Sequence, residues 1–202
     1  MASVLGLEDA DVSGGDEHAG HNHSHDHQHG DNDCASDPHL WLDPVLAADF
    51  VRALPGLLPE RLVSDETVAE ADRLAETIDA VSGEYAERLA PFEGRAVVTH
   101  HASFNRPAER YGLEVAAVLR AVETLEPSPA DIAKAVEAIE SRGVGASFVE
   151  PQFGTTSATR VAKAAGVELV TLDPLGNADW VVLMRSNLDA LVEGLSAGSA
   201  TP

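Results

Sequence analysis

Residues 146–176 read ASFVEPQFGTTSATRVAKAAGVELVTLDPLG, and the fold is decided in this stretch. Ala146–Val149 is an apolar run of strand length, ended by Glu150-Pro151. Thr156–Ala165 carries a helical pattern, and Gly166 is the residue that closes a helix in the left-handed region. Glu168–Leu172 is a second strand-length run, ended by Asp173-Pro174. Strand, helix and strand in immediate succession predict a crossover between parallel strands.

The same alternation extends outward in both directions. Upstream, Ala96–Thr99 reads as a strand and Ser103–Tyr111 as a helix stopped by Gly112. Val115–Leu119 reads as a strand. Pro129–Arg142 reads as a helix with Ser128 as its N-cap and Gly143 just past its end. Downstream, Asp179–Leu195 reads as a final helix. The expected fold is an α/β lobe with a four-stranded parallel sheet flanked by helices.

The preceding region, 38–94, is helical. Asp43-Pro44 is an N-cap followed by Pro at the first helical position, and the helix is expected to stop at Pro55-Gly56, after about Leu54. A longer helix starts at Ser64 or Asp65 and ends near Pro91. Its apolar positions are Val68, Ala71, Leu74, Ala75, Ile78, Val81 and Tyr85.

In open parallel sheets, ligands sit beyond the carboxyl ends of the strands. Here His100 and His101 follow the first strand, Glu150 the third and Asp173 the fourth. Three strand ends offering imidazole or carboxylate carry more weight together than any one of them alone. His39 lies outside the sheet, before the first helix. By itself it reads as a polar group at a chain turn.

Residues 16–37 form a low-complexity tract in which almost nothing can be buried, so it reads as a disordered loop. It holds six of the nine histidines: His18, His21, His23, His25, His27 and His29. Neutral imidazole suits zinc, copper and nickel. A flexible tract of this kind gathers a metal loosely without fixing its geometry.

The formal net charge of −21 excludes a basic nucleic-acid footprint. Only Lys134 and Lys163 are lysines, and so acidic a surface fits simple solubility and a saline habitat equally. Cys34 is the only cysteine, so no internal disulfide can form. No apolar stretch reaches the roughly 18 residues of a membrane span. Met1–Gly15 has no basic leader region. No phosphate loop and no nucleophile elbow are present. A metal-dependent hydrolase would have Glu150 as its only obvious general base.

Several segments in order resemble the zinc-specific solute-binding proteins of ABC uptake transporters, within the group that also binds manganese. The first is the His/Asp-rich loop, followed by His39-Leu40-Trp41-Leu42-Asp43-Pro44 and a long helix. Next come Thr99-His100-His101-Ala102-Ser103-Phe104 and Arg110-Tyr111-Gly112-Leu113. Glu126-Pro127-Ser128-Pro129, Glu150-Pro151-Gln152-Phe153 and Leu172-Asp173-Pro174-Leu175-Gly176 complete the set.

The resemblance implies two lobes joined by one long helix, here the helix at about 65–90, with metal bound in the cleft between them. It implies an extracytoplasmic receptor, periplasmic or lipid-anchored, that captures Zn²⁺ and passes it to a membrane permease. Such a protein would be monomeric and not an enzyme. His39, His101 and Asp173 match the ligand positions, the histidines of the loop are auxiliary, and His100 and Glu150 are subordinate candidates. Mn²⁺ is the alternative cargo, and a metal buffer acting through the loop alone is an alternative role. The family's first histidine lies upstream of the loop, and nothing before His18 supplies it. Residues 1–15 are therefore expected to be a remnant of the amino-terminal lobe, 16–37 the loop, 38–94 the helical connector and 95–196 the metal-binding lobe. Any signal segment is expected to lie outside this chain.

Overall fold

The computed structural model describes residues 37–120 and 126–198. Residues 1–15, Cys34 and the histidines from His18 to His29 lie outside them, so the expectations for those segments are not addressed by the structure.

Two helices come first. Helix α1, Pro44–Leu57, starts where Asp43 accepts hydrogen bonds from Val45 N and Leu46 N. It does not stop at Leu54 as expected but runs through Pro55. In the last turn a proline removes one hydrogen bond and has little helix downstream to disrupt. The end is closed by Leu58 N donating to Pro55 O. Helix α2, Asp65–Leu89, is capped by Ser64 Oγ accepting from Thr67 N. At 1.5 Å per residue it spans about 37 Å. Ile78 packs on Ala47 and Ala48 of α1. Val81, Tyr85 and Leu89 enter the main core. Val68 and Leu74, placed on the apolar stripe by periodicity, are exposed instead.

The rest of the chain is the α/β unit. Strands β1 (Ala96–Thr99), β2 (Glu114–Val118), β3 (Ala146–Val149) and β4 (Glu168–Thr171) form one sheet in the order β2-β1-β3-β4. Every pairing is parallel. Between them run α3 (Asn105–Arg110), α4 (Pro129–Arg142), α5 (Thr156–Ala165) and, last, α6 (Trp180–Ala197). The helix expected over Ser103–Tyr111 is split into a 3₁₀ turn, Ala102–Phe104, and the short α3. Gly112, at φ 76°, then turns the chain into β2. The expected caps of α4 are present: Ser128 and Asp131 form a reciprocal capping box, and Gly143 is left-handed.

Alternation along the strands builds a three-layer core. Val97, Phe148 and Val170 face α2 and α6, packing with Tyr85, Met184 and Leu188. Val98 and Val149 face α4 and α5, packing with Ile139, Ala158 and Val161.

Helix α6 approaches the sheet closely because Gly194 has no side chain. A Cβ there would lie 2.6 Å from Phe148 Cζ and 3.0 Å from Ala146 Cβ. Gly194→Ala should therefore lower stability by about 1–2 kcal/mol, the overpacking penalty exceeding alanine's helix preference. The urea unfolding midpoint checks this.

Candidate metal centre

His39 caps the 3₁₀ turn Leu40–Leu42, and that turn is fastened from three directions. Trp41 Nε1 donates to Pro174 O at 2.8 Å, and Trp180 Nε1 donates to Trp41 O at 2.8 Å. Asp43 closes the turn with its backbone N–H on Leu40 O. Its carboxylate is wholly buried and accepts from Arg110 Nε at 2.6 Å. The His39 segment is thus bolted to the loop after β4, to the start of α6 and to the end of α3.

His101 arrives from the carboxyl end of β1. Its ring stands 5.0 Å from the His39 ring, centroid to centroid, at 85°. The two histidines most favoured by sequence, 62 positions apart, are therefore brought together. Trp41 lies edge-on to His39 at 5.3 Å, and Phe153 flanks His101 at 5.6 Å.

Both imidazoles have a carboxylate beside Nδ1. His39 Nδ1 is 2.8 Å from Asp37 Oδ1, which also accepts the His39 backbone N–H at 2.9 Å. Burial pushes the Asp37 pKa up, but the hydrogen bonds and charge of His39, with Arg106, outweigh it and hold it below the ordinary value. His101 Nδ1 is 3.8 Å from Glu150 Oε2. Glu150 is only 3% exposed and accepts from Ser103 Oγ at 2.7 Å.

His100 occupies a different environment. It is 1% exposed, its ring meets Phe153 edge-on at 5.3 Å, and neither ring nitrogen has a hydrogen-bond partner among the described residues. Burial is the largest influence and lowers its pKa, and Arg120 and His101 add to this against the opposite pull of Glu150 and Glu126.

Asp173 lies at the same sheet edge, next to the end of β3. Its Oδ1 accepts from Gln152 Nε2 at 2.6 Å and from Leu175 N at 3.0 Å. Its backbone is bracketed by Asn187 on both sides, at 2.8 and 2.7 Å. Partial burial raises its pKa, but hydrogen bonds from Gly176, Gln152 and Leu175 prevail, and the group is held ionised. Among the described residues, no three His, Cys, Asp or Glu groups are gathered closely enough to hold a metal ion. The pair His39–His101 is assembled, whereas Asp173 is not gathered with it and is held by Gln152.

Sequence reasoning missed Asp37, which reads as the boundary of ordered chain. The usable signal is its spacing: an Asp two residues before a His can accept from that residue's backbone N–H in an Asx turn. It also missed Phe153, Gln152 and Asn187, whose roles exist only once β1, β3 and α6 are adjacent.

Residues 2–194 match the family described as "ZnuA: Zinc-uptake complex component A periplasmic". The zinc-binding lipoprotein AdcA of Streptococcus pneumoniae is 30% identical over 195 residues, covering 91% of this chain and 36% of that protein. The high-affinity zinc uptake system protein ZnuA of Brucella abortus is 32% identical over 144 residues, 69% of this chain and 42% of that protein. Among solved structures, a crystal structure of ZnuA superposes with a TM-score of 0.68 at 25% identity, covering 79% of this chain and 62% of that one. The laminin-binding protein of Streptococcus agalactiae, described as having adhesin and metal-transporting activity, gives 0.67 at 26% identity, covering 80% and 65%. The chain spans just over a third of the length of the streptococcal relative.

The buried Asp43 makes Arg110 a structural requirement of the site. Arg110→Ala should cost about 1.5–3 kcal/mol, the range for a hydrogen bond to a charged group, because it leaves Asp43 with only its helix-cap donors. Thermal or urea unfolding reads the loss, and the Arg110→Lys variant should recover part of it.

Proposed function

This chain belongs to the zinc-uptake complex component A family, and on that premise we propose that it serves an extracytoplasmic receptor that captures Zn²⁺ and delivers it to the membrane permease of an ABC transporter. The observation that carries the reading is the meeting of His39 and His101, ring to ring, at the carboxyl edge of the sheet. Two imidazoles brought together supply two nitrogen donors of the kind that zinc takes. Two nitrogen ligands also favour zinc over manganese, which prefers oxygen.

In this proposal Asp173 completes the protein's share of the ligand set. It is already ionised and only partly buried, so a cation can compete with Gln152 for it, at a cost of about 1.5–3 kcal/mol for that hydrogen bond to a charged group. His100 is left out of the ligand set, because it is 1% exposed and the ring that meets His39 is that of His101. Glu150 is neither ligand nor catalytic base: it is buried and tied to Ser103. The histidines from His18 to His29 act as an auxiliary tract that raises the local metal concentration. The cargo is held and released unchanged, so no chemical step is needed. Among the described residues, no helix is long and apolar enough to cross a membrane.

Calorimetry tests the reading. The double substitution His39→Ala and His101→Ala should abolish stoichiometric high-affinity Zn²⁺ binding, and unchanged affinity would refute the site. Deleting residues 16–33 should leave that site intact and remove only weaker, superstoichiometric binding. Because imidazole must lose its proton to coordinate, affinity should fall as pH drops through about 6.5 and recover above it.

A further inference from the structure

Two histidines serve one metal ion well only if each ring is held still with its unprotonated nitrogen facing the ion. A carboxylate on the other ring nitrogen does both. The structure places a hydrogen-bonded carboxylate on His39 and a second carboxylate 3.8 Å from Nδ1 of His101.

Asp37 Oδ1 is 2.8 Å from His39 Nδ1. An ionised carboxylate can only accept, so the proton of that contact sits on Nδ1. The same oxygen accepts the His39 backbone N–H at 2.9 Å, which fixes the carboxylate in place. At His101 the carboxylate stands beyond hydrogen-bond distance and acts on the ring through its charge. Ser103 Oγ donates to one oxygen of Glu150, and the other oxygen is the one nearest Nδ1 of His101, at 3.8 Å. Glu150 is buried, so bulk water competes little for it. The two carboxylates come from unrelated places in the chain, one two residues before its histidine and one from the neighbouring strand β3.

The geometry points to Asp37 and Glu150 as positioning residues, Asp37 through a hydrogen bond and Glu150 through its nearby charge, that keep the proton on Nδ1 of each histidine so that both rings offer Nε2 to one zinc ion. Neither is itself a ligand. For the zinc ion this deepens the function proposed above and rests on it; the tautomers, by contrast, exist in the metal-free chain and can be read there.

The experiment is ring ¹⁵N NMR of the metal-free full chain, well above the ordinary imidazole pKa of about 6.5. Both His39 and His101 should carry the proton on Nδ1. Asp37→Ala should move His39 toward the Nε2-protonated form and leave His101 alone, and Glu150→Gln should do the reverse. Zinc affinity, measured by chelator competition, should fall about 10–100-fold in each variant while the number of bound imidazoles stays the same. Protonation on Nε2 in the wild-type chain overturns the inference, and so do tautomers that ignore both substitutions. The wild-type spectrum decides even if a variant fails to fold. Nδ1 protonation in a chain that binds no zinc would uphold the tautomers and defeat the zinc reading alone.

Discussion

Asp43 is wholly buried, and much of the molecule is arranged around that one carboxylate. It caps α1 and takes the guanidinium of Arg110 at 2.6 Å, so a charge that would be costly in isolation is compensated twice. It thereby joins the helical segment that precedes the sheet to the short helix that follows β1. His39 lies four residues before Asp43 and His101 nine residues before Arg110, so the pair sets the separation of the two imidazoles. The indoles of Trp41 and Trp180, hydrogen-bonded to Pro174 O and Trp41 O, hold the same segment against the loop after β4.

The sheet supplies the other constraint. Parallel strands place their carboxyl ends along one edge, and the order β2-β1-β3-β4 puts the ends of β1, β3 and β4 side by side. His101, Glu150 and Asp173 lie along one edge of the sheet for that reason. Their environments nevertheless differ. Glu150 is enclosed with Ser103, Asp173 is partly solvated and held by Gln152, and His100 is turned into the apolar packing around Phe153. One residue along β1's exit separates an imidazole that meets His39 from one that does not.

Much of this was legible in the sequence because it is local. The cap Ser128, the left-handed Gly143 and Gly166, and the strands β1 and β3 follow from short-range chemistry. Pairing His39 with His101, by contrast, depended on the family resemblance, since each read alone as unremarkable. Pro55 misled because a proline's penalty depends on how much helix follows it, and here only Gly56 and Leu57 do. Val68 and Leu74 misled because periodicity marks an apolar stripe without saying how far along a helix the core extends. Asp37 was hidden because it adjoins a low-complexity tract; Glu150 was named as a strand-end carboxylate, but its ties to Ser103 and His101 arise only once β1 and β3 are adjacent.

The central claim is that His39 and His101 hold one zinc ion between them, with the histidine-rich tract as an accessory. Zinc K-edge X-ray absorption on the chain lacking residues 16–33, loaded with one equivalent of zinc, tests it most directly. The account predicts a shell containing two imidazoles, seen by their outer-shell scattering, with oxygen making up the remainder. A shell of oxygen alone, or one whose imidazole signal survives replacement of His39 and His101, would contradict it.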